Sequence, residues 1–132
     1  MDEALKANLT AALKHMQEMI HSTAQEKGWW ENFDHLRDIV PDDEKDHVDL
    51  LYKTSRTMLM VTELSEGVEA LRHGDPPDDK VPTYSGFTVE LADTIIRILD
   101  LAEKFKLPVV ESMLDKMEVN TGRSHCHGGK RI

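Results

Sequence analysis

Apolar residues recur along this chain at three- and four-residue intervals, and nowhere in the strict alternation of a half-buried strand, which predicts a helical protein. Leu5, Leu9, Ala12, Leu13, Met16, Met19 and Ile20 set a first helix over about Glu3 to Glu26, and Gly28 stops it. A loop carrying Trp29, Trp30 and Phe33 is expected next. Pro41 followed by Asp42 and Asp43 reads as a start signal for a long second helix, about Glu44 to His73, closed by Gly74. The stretch GDPPDDKVPTYSG, residues 74–86, holds three prolines and cannot continue a helix. A third helix is expected over about Phe87 to Lys106, and Pro108 opens a fourth that fades near Asn120. Residues 122–132 read as a short basic tail. No repeat and no low-complexity tract interrupts this pattern, so 1–132 is read as a single all-α domain of four helices.

The third helix carries a polar seam too narrow for an ordinary exposed face. At 100° per residue, Glu90, Asp93, Arg97 and Asp100 fall within roughly 80°, while Leu91, Ala92, Ile95, Ile96, Ile98 and Leu99 cover most of the remainder. The second helix repeats the feature: Glu63 and Glu66 lie roughly 60° apart, with Leu59 and Ala70 between them. Both helices thus present acid-x-x-acid, a spacing that aims two carboxylates from successive turns at one point. Solvated faces of amphipathic helices are the plain alternative. Arg97 and Asp100 read as ion-pairing residues that order the seam, within the helix or across to another.

Composition narrows the partners. Of 132 residues, 39% are hydrophobic and 31% charged, and the formal net charge is −9, which disfavours binding to phosphodiester backbones. No apolar run approaches the roughly 18 residues of a membrane helix. A single cysteine, Cys126, precludes an intrachain disulfide, and the acidic opening MDEALKANLTAAL lacks the basic and apolar regions of a signal peptide. A cytoplasmic protein is therefore expected. A third helix apolar round most of its circumference also predicts burial against another subunit.

Four carboxylates converging between helices repel one another unless their pKa values rise or cations neutralise them. All-oxygen ligation suits Mg²⁺ or Mn²⁺. A ferritin-like di-iron bundle asks for Glu-x-x-His on two helices, but position 66 is Glu and position 93 is Asp. Phosphate-binding loops, dinucleotide fingerprints and nucleophile elbows are absent, and His125 and His127 beside Cys126 find no evident further ligands. A non-catalytic helical interaction module stays open as the alternative.

The stretches ELSEGVEALRHG, GFTVELADTIIRILDLAEKFKL and KMEVNTGRSHCHGGKRI resemble the MazG-like branch of the all-α nucleoside triphosphate pyrophosphohydrolases, from roughly Leu51 to the end. The resemblance implies a four-helix MazG-like bundle, assembled as a homodimer or homotetramer, that cleaves a (d)NTP to (d)NMP and pyrophosphate. It implies Mg²⁺, replaceable by Mn²⁺, on Glu63, Glu66, Glu90 and Asp93, with Glu63 or Glu66 as catalytic base. Thr62 stands where many relatives carry a second Glu, which leaves the number of metals open.

A triphosphate needs cations beyond the metal. Lys53, Arg56, Lys116, Arg123, Lys130 and Arg131 are the supply, and Lys116 and Asn120 also recur in the family's closing motif. For the base, Trp30 leads a small set of aromatics able to stack. Asp34 beside it suits the donors of guanine, so a purine such as (d)GTP is the expected substrate.

Overall fold

Asp2 stands in extended backbone and its carboxylate accepts the Leu5 amide at 2.7 Å, capping α1, Glu3–Glu26. In this computed structural model, which describes residues 1–123, four helices follow. They are α2, Glu31–Ile39; α3, Lys45–Arg72; α4, Gly86–Lys104; and α5, Val109–Thr121, with one 3₁₀ turn at Asp42–Glu44. Among the described residues the only β-type pairing is an isolated bridge between Pro77 and Ser85. The protein is all-α, and none of these helices is long and apolar enough to cross a membrane.

The four long helices lie within two residues of their expected limits, but the expected loop around Trp30 is instead a fifth helix. Gly28, at φ 74°, ends the first chain direction. α2 then turns Phe33 inward, with Leu36 packed beside it. Trp30, Phe33, Ala24, Val48 and Leu101 form one core cluster, completed by Tyr52 and Phe105. A second cluster joins Val110 and Leu114 of α5 to Leu99 of α4, with Leu9, Leu13 and Ile20 of α1 against it.

Both clusters gather round the C-terminal half of α4. The N-terminal half of α4 pairs with α3 in an antiparallel hairpin: Arg97 meets Glu63, Glu90 meets Gly67, and Gly86 meets Ala70. The outer side of this hairpin is bare. Leu91 and Ile95 on α4, and Val61, Leu64, Val68 and Leu71 on α3, are all exposed. A helix apolar on every side is ordinarily a buried one.

Candidate metal centre

The loop between α3 and α4 sets the register of the acids. Gly74 and Asp75 both take positive φ, 84° and 52°, which turns the chain back. Asp75 Oδ1 then accepts the Phe87 amide at 2.9 Å and the Pro76 carbonyl accepts the Gly86 amide at 2.9 Å, fixing the first turn of α4. Close approach of the helices depends on Gly67. A Cβ there would stand 3.2 Å from Phe87 Cδ2 and 3.3 Å from Glu90 Cβ.

Across this contact, one carboxylate oxygen each from Glu63, Glu90 and Asp93 lies within 4.8 Å of the others. Glu63 is buried, and Glu90 and Asp93 are half-buried. Glu90 Oε2 is shielded from solvent and has no hydrogen-bond partner. Desolvation, helped by the adjoining Glu63 and by the charges of Glu66, Glu63 and Asp93, pushes the Glu90 carboxyl from 4.5 up to about 7. Three oxygens converging with one lone pair unanswered suit a hard divalent cation, so the residues present fit Mg²⁺ or Mn²⁺. Glu66 is not among the three. It is exposed on the shoulder of α3, near enough for its charge to act on Glu90 but outside the group of converging oxygens.

Arg97 and Asp100 do not pair with each other; each reaches across to a different helix. Arg97 Nη2 donates to Glu63 Oε1 at 2.6 Å. Asp100, 7% exposed, accepts Trp30 Nε1 at 2.9 and 3.1 Å on its two oxygens. His21 Nδ1 lies 2.7 Å from the same Oδ1, a spacing that assigns the ring proton to that nitrogen. Periodicity alone could not reveal this network, because His21 and Trp30 come from α1 and the start of α2.

Trp30 is thereby corrected from stacking platform to core residue. It is 1% exposed, with Phe33, Phe105 and His21 packed edge-on to it and with Arg56 and Lys104 over its ring. No open face is left for a base. Asp34, expected to read guanine, holds Lys104 at 2.5 Å. Lys53 lies over the Phe105 ring, 4.7 Å from its centroid, and ten residues of α3, about 15 Å of helix, separate it from Glu63. Lys116 and Asn120 are exposed on α5, and Arg123 is exposed just beyond it. Among the described residues, the ion pair made to the acidic cluster is that of Arg97. Lys130 and Arg131, like His125, Cys126 and His127, lie outside the described residues.

Comparison of the chain with protein-family models, with curated proteins and with solved structures finds no match.

Proposed function

We propose that this protein is a Mg²⁺-dependent nucleoside triphosphate pyrophosphohydrolase of the MazG-like kind, converting a (d)NTP to (d)NMP and pyrophosphate. The observation that carries the reading is the convergence of Glu63, Glu90 and Asp93 within 4.8 Å, joined to a buried Glu90 oxygen that nothing in the chain satisfies. A buried carboxylate oxygen without a partner carries a desolvation cost that a bound cation would offset.

Glu63, Glu90 and Asp93 would hold the cation, which supplies Lewis acidity toward the phosphoryl oxygens and charge for the departing pyrophosphate. Glu66, exposed beside that set, is the acid left to take a proton from the attacking water. Water oxygen bonds to the α-phosphorus as the bond to the bridging oxygen breaks, and pyrophosphate carries away the electron pair. Cations from α5 and the tail, or from a second copy, would complete the phosphate site. The bare apolar side of the α3–α4 hairpin supports a homodimer or a larger homo-oligomer, and light scattering should give at least twice the chain mass at micromolar concentration.

A hydrolysis screen over eight NTPs and dNTPs with Mg²⁺ tests the activity. Turnover should fall at least about a hundredfold in Glu63→Gln and Asp93→Asn, since several kcal/mol of charge stabilisation go with the cation. No turnover with any of the eight would overturn the proposal.

A further inference from the structure

Arg97 sits one helical turn beyond Asp93 and reaches over the α3–α4 interface to the most buried acid of the cluster, Glu63, at 2.6 Å. Its housing is incomplete. Arg97 Nε is buried without a partner, and the pair to Glu63 is made through Nη2. Arginine–carboxylate pairs are frequently closed by two parallel bonds. Arg37 shows that geometry in this same molecule, donating through Nε and Nη2 to the two oxygens of Asp49 at 2.8 and 3.4 Å.

The Arg97 side chain is also 36% exposed, so it is not walled in on every side. The positive charge it brings falls where a divalent cation would bring its own. Glu63 cannot give the same lone pair to both.

From this arrangement, and resting on the metal centre proposed above, we infer that Arg97 is a built-in counter-ion that holds Glu63 while the centre is metal-free and competes with the divalent cation for it. The guanidinium keeps the buried acids from standing uncompensated between the helices, and sets the concentration at which the cation takes over. Entry of the cation releases Arg97 from Glu63 toward solvent, to which its side chain is already partly open. Arg97 is in these terms a positioning residue.

Mn²⁺ titration of the full chain by calorimetry tests this, using wild type, Arg97→Gln and Arg97→Lys. Loss of the charge should tighten Mn²⁺ binding about tenfold, because a unit charge near a divalent ion repels it strongly at a partly buried site. Arg97→Lys, which keeps the charge, should stay within about twofold of wild type on the same grounds. In chelator, Arg97→Gln should melt lower than wild type, and Mn²⁺ should raise its melting temperature by more. Should Arg97→Gln fold too poorly to titrate, the wild-type Arg97 Nε–H resonance, identified by its loss in Arg97→Lys, must shift when Mg²⁺ is added. Equal or weaker Mn²⁺ binding by Arg97→Gln, or an unmoved resonance at saturating Mg²⁺, would mean that Arg97 merely orders Glu63. A different failure is recognisable: if no variant binds Mn²⁺, or binding survives Glu63→Gln and Asp93→Asn, the metal centre is wrong and this inference falls with it.

Discussion

Replacing Glu90 by Gln should stabilise the metal-free protein, and by an amount that depends on pH. The Glu90 carboxyl is pushed up to about 7 by desolvation and by its acidic neighbours, so the folded chain binds this proton more tightly than the unfolded chain does. The stabilisation is complete below about 4.5, the ordinary value, and is lost as pH rises through about 7. Each tenfold change in proton affinity is worth about 1.4 kcal/mol, so ionising Glu90 costs the fold about 3 kcal/mol, and about 2 kcal/mol once solvent screening at a half-buried site is allowed for. Gln carries no charge, and its amide donates toward Glu63 as the protonated acid does. Urea unfolding in chelator from about pH 4.5 to about pH 8.5 should therefore start with equal stabilities and end with Glu90→Gln ahead by about 2 kcal/mol. Saturating Mg²⁺ should close the gap by stabilising wild type alone. A difference that stays flat with pH, or a variant that falls behind at high pH, would refute the reasoning.

Gly67→Ala sets two effects against each other. A Cβ at 3.2–3.3 Å from Phe87 and Glu90 costs about 1–2 kcal/mol of strain, and the gain in helix propensity returns about 1 kcal/mol. Unfolding free energy should hardly change, whereas Mn²⁺ affinity should fall several-fold as Glu90 is pushed from the other acids; unchanged affinity would argue against the tight helix contact as the device that aims them. Trp30→Phe removes the donor to Asp100 Oδ2 and should cost about 1–3 kcal/mol in thermal unfolding, with KM for the nucleotide unaltered. A large rise in KM with little loss of stability would restore Trp30 to the substrate site.

Long helices were legible because their breakers are explicit: Gly28, Pro41, Gly74 and the prolines of the α3–α4 loop bound apolar runs of many turns. α2 was not, because nine residues give too few turns for a period to stand out, and aromatic residues beside a glycine suggest a loop as readily as a buried helix. Three of the four acids were legible for the opposite reason, whereas the spacing that pointed Glu66 at the same place does not bring it into the group. Glu63, Glu90 and Asp93 share a seam dictated by local helical geometry, and once α3 and α4 pair the seams must meet. The partners of Asp100 come from 79 and 70 residues away, and only tertiary packing chooses them. The same holds for Lys53 and Trp30, whose charge and ring suggested phosphate and base but whose positions are set by the aromatic core.

The bond that breaks tests the central claim most directly, because many Mg²⁺ carboxylate sites can hydrolyse a triphosphate at the γ position instead. Turnover of the preferred (d)NTP with Mg²⁺ in ¹⁸O-labelled water should place the label in the nucleoside monophosphate and release unlabelled pyrophosphate, with Mn²⁺ replacing Mg²⁺ and Ca²⁺ supporting little turnover because its looser shell positions the water poorly. Labelled orthophosphate beside a nucleoside diphosphate, or equal turnover in chelator, would contradict the account.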